Sequence, residues 1–126
     1  MTMSQAIAFI AHDNCKDDAV AWALRNQDRL SGLQLYCTGT TGGRLQEASD
    51  KLSVTRLLSG PLGGDQQIGA LAAEKKVDAI FFFIDPLTAH PHDVDVKALI
   101  RLAILHQTPL ALNEATADAV LESLVD

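Results

Sequence analysis

Basic charge is scarce in this chain. Ten Lys and Arg stand against sixteen Asp and Glu, for a net charge of −6, which excludes general affinity for nucleic acid or a membrane surface, because both need a basic face. An anionic ligand must therefore be held by local groups against the overall field. No apolar run approaches the roughly 18 residues of a membrane span. Met1 to Gln5 leads into a short apolar run without a basic n-region, so a cytoplasmic location is expected. Cysteine is nearly absent as well. Cys15 and Cys37 do not have the spacing of a metal or redox pair and read as free thiols. Cys15, beside Lys16 near an expected helix start, is a candidate for activation, although a bystander thiol is the simpler reading. No segment is low in complexity or rich in Ser, Gly or Pro beyond the turns, which excludes disorder beyond the first few residues.

Apolar residues, by contrast, make up 48% of the 126 positions, enough for the core of one domain spanning residues 1–126. Ala6-Ile7-Ala8-Phe9-Ile10-Ala11 and Ala79-Ile80-Phe81-Phe82-Phe83-Ile84 are short and continuously apolar, as strands buried on both faces are. Leu33 to Cys37, Val54 to Leu58 and Pro109 to Leu112 are further strand candidates. Val96, Leu99, Ile100, Ala103 and Ile104 recur at the spacing of one helix face, and Ala117, Val120, Leu121 and Leu124 repeat the pattern. Asp17 to Leu30, Gly43 to Leu52 and Gln66 to Lys75 are less regular helical segments without internal proline. Strand and helix thus alternate five times, which requires crossover connections and predicts an α/β fold, a three-layer α/β/α sandwich around a five-stranded parallel sheet. In such sheets ligands sit outside the carboxyl ends of the strands, near the switch in strand order.

Four polar clusters occupy strand-to-helix turns: Ala11-His12-Asp13-Asn14-Cys15-Lys16, Thr38-Gly39-Thr40-Thr41-Gly42, Ser59-Gly60-Pro61-Leu62-Gly63-Gly64-Asp65-Gln66-Gln67 and Asp85-Pro86. The topology collects them along one edge. The threonine cluster precedes a helix whose N–H groups favour an anion, and it is neither a Walker loop nor a G-x-G-x-x-G fingerprint. Threonine caps on a plain turn are the alternative; Lys16, able to reach the same anion, favours phosphate. Gly63 and Gly64 read as clearing space for a ligand, and Asp65 after them is either an N-cap or a base. His12 and Asp13 are readable as a packed imidazole and a cap, Asp85 as a turn residue, and Asp93 and Asp95 as charges favouring a helix start. Capping explains each singly. Several carboxylates gathered together repel unless they share protons or bind partners, so a common site is the better account of the set. His90-Pro91-His92 has no third strong ligand for a zinc-type site, and an imidazole acting as acid or electrophile near a carboxylate is more economical. His106 complements a helix dipole.

These segments, with Asp85-Pro86-Leu87 and Pro91-His92-Asp93-x-Asp95-Val96-Lys97-Ala98-Leu99, follow one another from about Ile7 to Asp118 in an order and spacing that closely resembles methylglyoxal synthase. The resemblance implies a doubly wound fold of the Rossmann or flavodoxin type. It implies a carbon–oxygen lyase that converts dihydroxyacetone phosphate to methylglyoxal and inorganic phosphate without metal or organic cofactor. Asp65 would be the base, and His92 would polarise the carbonyl or move protons on the enediol. Asp95 would lie close to the reacting carbons, with His12, Asp13 and Asp85 also lining the site. Lys16, Thr38, Gly39, Thr40, Thr41, Ser59 and Gly60 would hold the phosphate. Members of the family are usually homohexamers inhibited by phosphate, and familiar ones continue beyond the position of Asp126, which puts cooperativity and the hexamer in question here. The rival class is a binding module similar to the regulatory domains of carbamoyl phosphate synthetase, which would have no need of Asp65, His92 and Asp95 together.

Overall fold

The computed structural model describes residues 5–87 and 93–125, without the side chains of 93–95. Its five strands are β1 (Ala6–Ala11), β2 (Gln34–Cys37), β3 (Ser53–Arg56), β4 (Ala79–Phe83) and β5 (Leu110–Ala111). They pair in the order β3-β2-β1-β4-β5, every pair parallel. Every residue of β1 and β4 is buried, which is why these two runs are apolar at successive positions: strands at the centre of a covered parallel sheet have no water-facing side.

The helices are α1 (Lys16–Arg25), α2 (Gln27–Leu30), α3 (Gly39–Ala48), α4 (Gly64–Ala73), α5 (Asp93–Leu105) and α6 (Glu114–Leu124). The two-residue repeat of the strands divides the core between the faces. Ile7, Phe9, Phe81 and Phe83 pack with Trp22 of α1, Leu45 of α3 and Leu121 of α6. Ala8, Ile10, Ile80 and Phe82 pack with Ile68 and Ala72 of α4 and Leu99 and Ala103 of α5. The sandwich is therefore three-layered, as the alternation predicts. On α5 the apolar pattern is wider than the buried stripe: Leu99 and Ala103 face the sheet, while Ile104 is 72% and Leu105 69% exposed.

Helix boundaries depart from the expectation in three places. The segment expected over Asp17 to Leu30 breaks at Asn26, whose side-chain Nδ2 donates to the Trp22 carbonyl at 2.9 Å. A side chain bonding a helix carbonyl competes with continuation of the backbone ladder. α3 begins at Gly39, four residues before the predicted start, because the extended Thr38 (φ −63°, ψ 154°) already accepts the Gly42 N–H at 2.8 Å. α4 begins at Gly64 and closes earlier than predicted, through a left-handed Lys75 (φ 57°) whose N–H donates to Ala72 while Lys76 N–H reaches Leu71, the paired bonds of a Schellman end. α6 starts where Asn113 Oδ1 accepts the Thr116 N–H at 2.9 Å, an ordinary N-cap.

Trp22 is fully buried, and its ring meets Phe9, Phe81 and Phe83 edge-on at 5.7, 5.4 and 5.8 Å. Its indole N–H donates to Asp118 Oδ1 at 2.7 Å, tying α1 to α6. Trp22→Phe is expected to lower the midpoint of urea unfolding by an amount equivalent to about 2 kcal/mol, from the lost hydrogen bond and the smaller ring.

Cys37 ends β2 without solvent exposure, and burial pushes its thiol up from 9.0 to about 12. The native state thus keeps a proton that the unfolded chain loses near pH 9. Stability from this group is complete below pH 9 and falls, as pH rises from 9 toward 12, by about 1.4 kcal/mol per pH unit. In Cys37→Ala the loss of stability between pH 9 and pH 11, followed by urea unfolding, is expected to be shallower by about that slope.

Candidate functional site

A cleft of about 390 Å3 opens at the carboxyl ends of the strands. The strand order reverses between β1 and β4, the switch point at which doubly wound sheets bind ligands. His12, Asp13 and Lys16 reach the cleft from the turn after β1, Thr38 and Thr40 from the end of β2 and the first turn of α3, Ser59 and Gly60 from the turn after β3, and Asp65 from α4. The fold thus brings together eight of the residues singled out from the sequence.

The turn carrying Asp65 is built by two glycines with different duties. Gly63 has φ +113° and is the N-cap of α4, a conformation that side chains other than glycine's disfavour. Gly64 has no room for a side chain: a Cβ there would lie 2.0 Å from the Leu58 carbonyl oxygen. The space that Gly64 clears is filled by the protein's own backbone, and Gly63 serves the left-handed turn, a correction to the reading that the pair clears space for a ligand. Asp65 is consequently the second residue of α4, two positions past the N-cap Gly63, and is 7% exposed. Its two carboxylate oxygens stand over Gly60, 3.4 and 3.5 Å from where a Cβ at that position would be.

Lys16 opens α1 with a side chain 12% exposed, its Nζ 2.5 Å from Oδ1 of Asp13, whose own side chain is 95% exposed. A pair with one partner in water contributes little to stability, so an incoming anion can compete for the ammonium. His12 accepts the Asp85 N–H on Nδ1 at 3.1 Å, and its ring meets Phe82 edge-on at 5.0 Å. A ring nitrogen that accepts carries no proton, so the neutral imidazole is the Nε2–H tautomer, a donor.

Three residues expected on the site are placed differently. Gly39 is buried, its N–H donating to the Leu58 carbonyl at 3.1 Å and its carbonyl accepting from Arg56 Nε at 3.0 Å. Thr41 is 2% exposed, and its Oγ1 has no hydrogen-bond partner among the described residues. Asp85 stands behind His12 and does not line the cleft. His90 and His92 lie outside the described residues; for Asp95 the backbone, in the first turn of α5, is described and the side chain is not. Val96, next to Asp95, does line the cleft, as do Ile10, Pro61 and Phe82. These apolar wall residues carry no chemical signature in the sequence; only the shared face of Ile10 and Phe82 on adjacent strands hints at them.

Activation of Cys15 is not supported. Its thiol is pushed up by burial first and then by Asp85 and Asp18, which outweigh Lys16. Among the described residues, no helix is long and apolar enough to cross a membrane.

The family model of the MGS-like domain matches residues 18–112. A methylglyoxal synthase of Rhizobium etli is 59% identical over 124 residues, covering 98% of each chain, and one of Allorhizobium ampelinum is 56% identical over 126 residues, covering all of both. The crystal structure of methylglyoxal synthase from Elizabethkingia anophelis superposes with a TM-score of 0.87 at 47% identity, over 94% of this chain and 77% of that one. With near-complete coverage at such identity, and with the same fold, the chain belongs to the methylglyoxal synthase family of enzymes.

Proposed function

We propose that the chain converts dihydroxyacetone phosphate to methylglyoxal and inorganic phosphate, with Asp65 as the base. The observation that carries this reading is the burial of Asp65 in the same cleft as Lys16, Thr38, Thr40 and His12. A buried carboxylate is costly to keep, and its position inside α4 removes the N-cap as a reason for keeping it.

Lys16, the hydroxyls of Thr38, Thr40 and Ser59, and the start of α3 hold the phosphate. Asp65 takes a proton from the hydroxymethyl carbon next to the carbonyl, and the C–H electron pair becomes the C=C bond of an enediolate. Donors aimed at the oxygen that gains charge are worth about 3 kcal/mol each; the Nε2–H of His12 is one, and His92 is a second by family resemblance. Elimination follows when the bridging C–O bond stands out of the enediolate plane, so that its σ* orbital overlaps the π system. The terminal enediol hydroxyl loses its proton and becomes the aldehyde, the double bond moves one carbon along, and the C–O pair leaves with phosphate. The enol so formed takes up a proton on its terminal carbon to give methylglyoxal. The grip on the phosphate therefore sets a torsion as well as an affinity. Asp13, Asp85 and Asp95 complete the acidic surroundings in this scheme.

The same resemblance extends to a cytoplasmic homohexamer inhibited by phosphate. The exposed Ile104 and Leu105 on α5 support burial against another copy. Incubation with dihydroxyacetone phosphate, without added metal, and parallel assay of both products tests the activity. Equimolar methylglyoxal and phosphate are expected; stable binding without release would favour an effector-binding domain of the same fold.

A further inference from the structure

We propose that Asn14 is a positioning residue that keeps His12 in its Nε2–H form by clamping the Asp85 turn; its effect on turnover presupposes the lyase activity proposed above. Asn14 lies in the 3-10 turn Asp13–Cys15 after β1, and Asp85 follows β4. These are the turns of the two adjacent central strands. Asn14 Nδ2 donates to Asp85 Oδ2 at 2.8 Å, across the gap between them. The other carboxylate oxygen, Oδ1, accepts the Leu87 N–H at 3.0 Å and closes the Asp85-Pro86-Leu87 turn on itself. One oxygen thus shapes the turn while the other anchors it to the β1 side.

The anchored turn presents the Asp85 backbone N–H to His12 Nδ1 at 3.1 Å. His12 is held in register by its own N–H, which donates to the Phe83 carbonyl at 3.1 Å, and by the edge contact of its ring with Phe82. The first fixes the backbone and the second the orientation of the ring, and neither chooses the tautomer. The Asp85 N–H does, because it occupies the Nδ1 lone pair and leaves the proton to Nε2. Release of Asp85 Oδ2 lets the turn rotate its N–H away. The imidazole then populates the Nδ1–H form, whose Nε2 lone pair repels a developing oxyanion instead of donating to it. A carboxamide at position 14 suits the task, since it offers a donor without charge; a carboxylate of nearly the same shape removes the donor and adds repulsion against Asp85.

The test uses the full chain with Asn14→Ala and the near-isosteric Asn14→Asp. Side-chain 15N correlation spectra of His12 report the tautomer in the free protein, and steady-state kinetics with dihydroxyacetone phosphate report its consequence. Wild type is expected to show Nε2–H alone, and both variants a mixture. In the variants kcat is expected to fall roughly tenfold to a hundredfold, the range for losing a group that orients a functional histidine, with KM within about twofold. An unchanged nitrogen pattern in both variants overturns the proposal, as does a mixed tautomer with undiminished kcat. A mixed tautomer in the variants of a protein whose wild type releases no methylglyoxal leaves the clamp standing and overturns the proposed activity instead.

Discussion

Asp65→Asn is expected to lower turnover of dihydroxyacetone phosphate by about 1000-fold, within the range for loss of a positioned base, while phosphate binds almost as before. The substitution keeps shape and volume, so the cleft over Gly60 stays filled. Basicity is what it removes: an amide oxygen takes no proton from carbon at neutral pH. The phosphate groups come from other elements, Lys16 from α1, Thr38 and Thr40 from the β2–α3 junction and Ser59 from the turn after β3, and none depends on the charge of Asp65 for its place in the backbone. Calorimetric titration with phosphate and single-turnover kinetics separate the two effects. Near-normal turnover in the variant would sink the assignment of the base, and a parallel collapse of phosphate affinity would show that Asp65 organises the anion site.

Gly64→Ala is expected to destabilise the chain by about 3 kcal/mol or more, the upper part of the range for single substitutions. Its added Cβ would sit 2.0 Å from the Leu58 carbonyl oxygen, 2.9 Å from the Leu58 carbonyl carbon and 3.0 Å from that of Ser59. These are backbone atoms and cannot rotate aside. Leu58 is also a junction: its carbonyl accepts the Gly39 N–H at 3.1 Å and its N–H donates to Gln67 Oε1 at 2.8 Å, so it ties the starts of α3 and α4 together. Pushing it away displaces the phosphate-side loop and the Asp65 turn at once. Activity is therefore expected to fall further than the folded fraction does. Gly63→Ala makes the useful contrast. There the left-handed backbone is strained, but a Cβ meets nothing closer than Leu58 Cδ1 at 3.7 Å, and about 1–2 kcal/mol is expected. Urea unfolding of the two variants gives the order directly, and an inverted order would mean that the turn relaxes away from Leu58.

The layer architecture was legible because burial on both faces leaves a plain mark, two apolar runs without alternation, and the helix over Val96 to Ile104 because its period has one cause. The starts of α3 and α4 were not legible. Thr, Gly and Gly-Gly are poor helix formers, so local preference places the helices later, at Gly43 and Gln66. Docking of their first turns against Leu58 and Ser59 supplies what propensity does not. The α3 boundary rests on a contact between positions some twenty residues apart, Gly39 and Leu58, and the α4 boundary on a close backbone approach of Leu58 and Ser59 to Gly64; neither leaves a trace in helix propensity.

The same division runs through the site. Residue types in strand-to-helix turns were enough to name the fold, the edge of the sheet that carries the cleft, the family, and the polar groups that gather there, because a parallel topology sends every such turn to one end. Whether Asp65 caps its helix or stands inside it, whether the glycines serve ligand or backbone, and whether Asp85 faces the cleft or stands behind His12 depended on the path of a chain that must bring Leu58 against Gly64 and Asp85 against His12. Those are matters of atoms meeting at about 3 Å and of places with no room for a Cβ, a distance scale on which the linear order of residues is silent.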